Sequence, residues 1–343
     1  MIASSRIRTL IAGLVLAAPF AVAGCSGGGE SAPASVPASP DATEATGGGC
    51  PTAPVAVVVS VDQWGDIVEE LGGQCATVAT VLAGSAIDPH DYEPAPRDAA
   101  LFEGAQLVVI NGGHYDEWAA KLAASSAPDA PVISAVDIGR DDSPNGPAGH
   151  EGEVHEGEGQ GYDHGGEGNP HVWYSPAAVT GVADAVTAEL TKLAPDAADY
   201  FAERRADLAR SLEPYDALIT SIKANASGKT YAATEGVFDD MAGALGLVDR
   251  TPEGYQVASA NETDPSPADL DAFLRLLTDR GVDVLIYNTQ TEGSLPERIR
   301  AAAEQAAVAV VEVTETVPPG TASFEAWQTD QLTRLAKALD VPA

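Results

Sequence analysis

The sequence predicts an α/β protein of two lobes. Each lobe is a roughly four-stranded parallel sheet flanked by helices, and a long connecting helix joins them. Three observations predict this. Short β-branched runs alternate with helical patterns along the chain. The runs are apolar almost without a break, as strands of a parallel sheet covered on both faces are. About 290 of the 343 residues remain once the N-terminal region is set aside, room for two domains of ordinary size.

Residues 1–24 read as a leader. Arg6 and Arg8 precede an apolar stretch from Leu10 to Val22, shorter than the about 20 residues of a spanning helix. Val22-Ala23-Gly24-Cys25 resembles the cleavage site of bacterial lipoproteins. Cys25 would then be the lipidated first residue of the mature chain. The alternative is an ordinary signal peptide with a chance cysteine. Residues 25–49 are mostly Gly, Ser, Ala, Pro and Thr. Such a composition buries no core and reads as a disordered tether.

The first lobe, residues 50–194, offers strands at Val55–Ser60, Thr77–Leu82, Leu107–Ile110 and Pro131–Val136. Cys50 precedes the first strand and Cys75 the second. Adjacent parallel strands bring both to one end of the sheet, and an exported chain keeps a disulfide, so the two are expected to pair. Ser175 and Pro176 read as an N-cap and first helical position, opening a helix that runs to Leu193. Residues 195–225 read as the connecting helix, with a kink or break at Pro214. The second lobe, residues 226–343, offers strands at Thr230–Thr234, Gln256–Ala260, Asp283–Tyr287 and Val308–Val313. Ser266-Pro267-Ala268-Asp269 opens a helix that reaches about Arg280, where Gly281 supplies the stop.

The formal charge of −33 argues against a nucleic-acid partner. It suits a cation, but an acidic proteome gives the same balance. Two stretches centre on a Pro-His pair: Asp88-Pro89-His90-Asp91-Tyr92-Glu93-Pro94 and Asn169-Pro170-His171-Val172-Trp173. Paired imidazoles in an acidic chain suggest metal ligands. Between them, residues 149–168 are dense in glycine and glutamate and carry His150, His155 and His164, half of the six histidines. This segment reads as an auxiliary metal-collecting loop, the alternative being an acidic insertion with incidental histidines.

In open parallel sheets, ligands bind beyond the carboxyl ends of the strands. His90 follows the second strand, and His171 follows the fourth after the loop. Glu235 directly follows the first strand of the second lobe and Glu315 the last. Two imidazoles from one lobe would thus face two carboxylates from the other. Taken singly, Glu235 could cap the next helix, and Glu315 could be a solvated acid. Four positions obeying one geometric rule favour the site. His114 also follows a strand and is a reserve ligand or a surface helix start. Asn288 and Gln290 leave another strand and are candidate partners for the carboxylates, or plain turn residues.

Asp88-Pro89-His90, Asn-Pro-His-Val-Trp, Thr234-Glu235-Gly236-Val237-Phe238 and the Glu315 loop together resemble the zinc/manganese family (cluster A-I) of metal ABC-transporter solute-binding lipoproteins. The resemblance covers Cys50 to Pro342. It implies two α/β lobes joined by a rigid helix, one divalent ion, Mn²⁺ or Zn²⁺, held between them, and delivery of that ion to an ABC permease. It implies a monomer, not an enzyme, anchored by lipid on the extracytoplasmic face of the cell membrane. Three positions depart from the family. Asn169 stands where Asp is frequent, Glu315 where Asp is common, and Glu235 where many zinc-specific members carry His. Members with Glu at that position are more often linked to manganese, whereas His-rich loops accompany zinc uptake. Imidazole suits zinc and carboxylate suits harder ions, so both metals stay open. Alternatives are a zinc-dependent hydrolase and an adhesion or metal-buffering surface lipoprotein. A hydrolase needs a coordination position left open for water, and no His-Glu-x-x-His run occurs.

Overall fold

The structure, a computed structural model, describes residues 49–84, 92–141, 169–261, 263–291 and 293–342. Cys25, His90, His150, His155, His164 and Glu292 lie outside them. Strand β1 (Val55–Val61) feeds helix α1 (Asp62–Gly72), which returns the chain to β2 (Ala76–Leu82). Helix α2 (Pro96–Phe102), β3 (Leu107–Ile110), α3 (Glu117–Ser126), β4 (Val132–Ser134) and α4 (Ala135–Asp141) follow. All pairs are parallel, in the order β2-β1-β3-β4. Central β1 is buried on both faces, including Val57, Val58 and Val59. That explains its unbroken apolar sequence.

After α5 (Pro176–Leu193), the connector is two helices, α6 (Ala198–Ser211) and α7 (Glu213–Ala226). The break falls at Leu212. Pro214 sits in the first turn of α7, where its missing N–H breaks no bond. The second sheet holds β5 (Thr230–Ala233), β6 (Val248–Asp249), β7 (Val284–Asn288) and β8 (Ala309–Val313). Its order is β6-β5-β7-β8, again wholly parallel. Helices α8 (Asp239–Leu245), α9 (Glu253–Ala260), α10 (Pro267–Thr278), α11 (Ser294–Ala306) and α12 (Phe324–Ala338) complete the lobe. In each sheet the chain steps outward once and then back past its first strand. This creates a switch point at the carboxyl ends of β1/β3 and of β5/β7, the usual place for a ligand.

One expected strand is corrected. Gln256–Ala260 is the end of helix α9, not a strand. Its one β-branched residue, Val257, is 52% exposed. Tyr255 holds the helix to the core, with its ring 4.7 Å from that of Phe273. The fourth strand is instead the two-residue β6, too short to show a period in sequence. The stop after α10 also differs in detail. Arg280 adopts φ 54°, while the Gly281 N–H bonds the Leu276 carbonyl at 2.8 Å. A Cβ on Gly281 would sit 2.6 Å from the tip of the Leu276 side chain and 3.1 Å from its carbonyl oxygen, so a larger residue there would make Leu276 shift.

Cys50 and Cys75 are joined by a disulfide. It closes a loop of sequence separation 25 just ahead of β1 and β2. In the chain-entropy model such a loop contributes roughly 3.5 kcal/mol. Reduction, or Cys75→Ser, is therefore expected to lower the melting temperature markedly. Non-reducing peptide mapping should find the two residues linked, and two alkylatable thiols in the native protein would contradict the pairing.

Candidate metal centre

His171 sits where several hydrogen bonds leave the loop little freedom. Asn111, at the carboxyl end of β3, accepts from the Trp64 indole at 3.0 Å. Its amide nitrogen donates to the Pro170 carbonyl at 2.9 Å. The chain then makes a single 3-10 turn, Val172–Tyr174, before Ser175 caps α5. The aromatics of this turn are buried. Trp173 packs edge-on against the His171 ring at 5.2 Å. Tyr174 reaches the other lobe, with its ring 5.2 Å from Phe238 and its hydroxyl 2.7 Å from the Thr314 carbonyl.

The second lobe supplies two carboxylates from the ends of β5 and β8. Between them runs β7, whose last residue, Asn288, is 1% exposed. Its amide nitrogen donates to Glu235 Oε2 at 2.8 Å and to Glu315 Oε1 at 2.7 Å. One NH₂ group thus spaces two like charges and aims both into the cleft. Thr291 donates a further hydrogen bond to Glu235 Oε2. Gln290 accepts from the backbone N–H of Glu315 at 2.7 Å and of Thr316 at 3.0 Å, which fixes the Glu315 loop.

Ligand atoms of His171, Glu235 and Glu315 all lie within 4.8 Å of one another. His171 Nε2 is 3.8 Å from Glu315 Oε2. The tautomer follows from a chain of hydrogen bonds. The Gly236 carbonyl can only accept, so the Asn169 nitrogen must face it, at 2.7 Å. Asn169 Oδ1 therefore faces His171 Nδ1, 2.7 Å away, and the proton sits on Nδ1. Nε2 is left with its lone pair on the carboxylate side, as a metal ligand requires. Burial pushes the imidazolium pKa down. The Glu315, Glu235 and Asp239 carboxylates outweigh that, so the ring titrates above its ordinary 6.5.

His114 stands apart from this group. It has φ 64° and pairs with Glu117 on the first turn of α3, with its side chain 53% exposed. His90 lies outside the described residues. Sequence reasoning missed Thr291 and also Gln63. The latter is buried in the first turn of α1 and donates to the Glu315 carbonyl at 2.9 Å. Gln63 follows the carboxyl end of β1, so the positional rule that selected Glu235 also points to it.

Residues 57–338 match the family model ZnuA, zinc-uptake complex component A, periplasmic. The chain belongs to this family. Among curated relatives, the Bacillus subtilis high-affinity zinc uptake system protein ZnuA is 26% identical over 207 residues, 60% of this chain and 62% of that protein. The zinc-binding lipoprotein AdcA of Streptococcus pneumoniae is 25% identical over 189 residues, 53% of this chain and 35% of that protein. The chain thus matches about three-fifths and about one-third of those relatives' lengths. The solute-binding protein FpvC of Pseudomonas aeruginosa, solved with Mn²⁺, aligns with TM-score 0.64 at 21% identity, covering 84% of this chain and 98% of that one. Its likeness is one of fold.

Proposed function

We propose that this ZnuA-family protein captures one divalent transition-metal ion, Mn²⁺ or Zn²⁺, as cargo between its lobes and hands it to an ABC permease. The observation that carries this is the convergence within 4.8 Å of His171, from the loop ahead of α5 in one lobe, with Glu235 and Glu315, which follow β5 and β8 in the other. His90 is the proposed fourth ligand. Two imidazoles and two carboxylates suit either metal. The relatives and solved structures it resembles include both zinc-binding and manganese-binding proteins, and the role is binding and release with no turnover. Elemental analysis of protein purified without added metal, paired with competition titrations of both ions, tests the reading. One ion per chain with a strong preference for transition metals over Ca²⁺ and Mg²⁺ is expected, and no stoichiometric ion would contradict it.

Proton competition sets the pH dependence. With its folded pKa raised, His171 stabilises the metal-free fold fully below about 6.5, its unfolded value. That contribution is lost as pH rises through the higher folded pKa. The ion takes only neutral imidazole. Affinity should therefore begin to fall at a pH above 6.5, by about tenfold per unit for each proton displaced. Metal-induced gain in melting temperature should shrink along the same curve. A flat profile between pH 8 and 5 would remove imidazole from the ligand set.

The proposed location is the extracytoplasmic face of the membrane, held by lipid on Cys25. No helix among the described residues is long and apolar enough to cross a membrane. Cys25→Ala should move the protein from the membrane fraction into the medium, because each acyl CH₂ buried contributes about 0.8 kcal/mol. Unchanged partition would contradict the anchor. The loop bearing His150, His155 and His164 is proposed as auxiliary, feeding the site without supplying its ligands.

A further inference from the structure

We infer that Gln63 and Asn169 are positioning residues that latch the cleft from the first lobe and set how fast the ion is released. The inference rests on the metal site proposed above. Each carboxylate of the second lobe sits on a short loop after a strand. Each of those loops presents a backbone carbonyl to the first lobe. The Glu315 carbonyl accepts from Gln63 Nε2 at 2.9 Å. The Gly236 carbonyl, next to Glu235, accepts from Asn169 Nδ2 at 2.7 Å. Both donors are neutral amides, and a carbonyl can take only their nitrogen end.

The remaining contacts make the two latches stiff. Gln63 is fully buried, and its second amide hydrogen goes to the Tyr115 hydroxyl at 2.9 Å. The Glu315 N–H is tied from its own lobe by Gln290. The Glu315 backbone is therefore gripped from both sides at once. A glutamate side chain has one more rotatable bond than an aspartate, and a clamped backbone limits where its carboxylate can swing. Asn169 has a second task, since its oxygen accepts from both the backbone N–H and Nδ1 of His171. One amide side chain thus orients a ligand of the first lobe from a carbonyl of the second. His171 is on one lobe and the two carboxylates on the other, so an ion between them leaves only when the lobes part. Parting the lobes breaks both amide-to-carbonyl hydrogen bonds, which water must then replace. They lie on the release path and hold the metal-free site ready.

Two variants remove the donors and keep the shapes. Gln63→Met drops the bond to the Glu315 carbonyl. Asn169→Asp keeps the acceptor for His171 but places a carboxylate against the Gly236 carbonyl. Stopped-flow chelator chase of Zn²⁺-loaded and Mn²⁺-loaded protein reads the release rate. Gln63→Met is expected to raise it about tenfold without slowing association, one buried hydrogen bond's worth. Small-angle scattering of metal-free protein should show a larger radius of gyration for both variants than for the wild type. A residue serving stability alone would lower the melting temperature and leave both readouts unchanged. If Gln63→Met does not fold by circular dichroism, the scattering of Asn169→Asp decides. Wild-type release rate and wild-type radius in the folded variants would overturn the inference. Failure of the wild type to hold one ion per chain would instead overturn the proposed function beneath it.

Discussion

His171→Ala is expected to weaken Mn²⁺ and Zn²⁺ binding by more than about 100-fold, beyond the loss that an outer-sphere partner causes. The residue is 6% exposed, and its ring is held on both its edge contacts and Nδ1. Trp173 and Tyr115 pack edge-on against its ring, and Asn169 holds Nδ1. No neighbouring imidazole from the described residues can replace it, since His114 is committed to Glu117 on the surface. Alanine would leave Glu235 and Glu315 facing the same space with His90 as the one proposed imidazole remaining. Affinity is measured by competition with a calibrated chelator, with circular dichroism confirming the fold. Near-native affinity in the folded variant would remove His171 from the site.

Glu315→Ala is expected to cost about as much, and its comparison with Asn288→Leu separates ligand from support. Asn288 touches both carboxylates but offers them only donors, so its loss should weaken binding by about 10–100-fold. Loss of Glu315 removes a negative oxygen that faces His171 Nε2 at 3.8 Å. The expected order is therefore Glu315→Ala worse than Asn288→Leu, for both metals. If Glu315→Ala binds like the wild type while substitution at Asn288 or Glu292 does not, the ligand lies in the turn after β7 instead.

Most of the fold was legible because parallel strands buried on both faces leave long apolar runs, as in β1 and β7. Strand β6 was not legible, since two residues show no alternation and Val248 is an exposed edge position at 38%. The helical end at Gln256–Ala260 was misread because five residues with a single β-branched side chain carry no period of their own. In the site, Glu235 and Glu315 could be chosen because one rule places ligands at strand ends. The bridging amide of Asn288 was visible only as a candidate, because bonds to two carboxylates 53 and 27 residues away depend on sheet order. Gln63 stands where that rule also looks, but its contact is set by how the two lobes pack. Its partner is 252 residues distant, on the other lobe.

The ion is proposed to sit between imidazole of one lobe and carboxylate of the other. X-ray absorption at the metal edge of Zn²⁺-loaded protein tests it most directly. A shell of nitrogen and oxygen near 2.0–2.2 Å with imidazole scattering is expected. That scattering should diminish in His171→Ala, and the oxygen shell should change in Glu315→Ala. A shell containing sulfur, or one identical in the wild type and both variants, would contradict it.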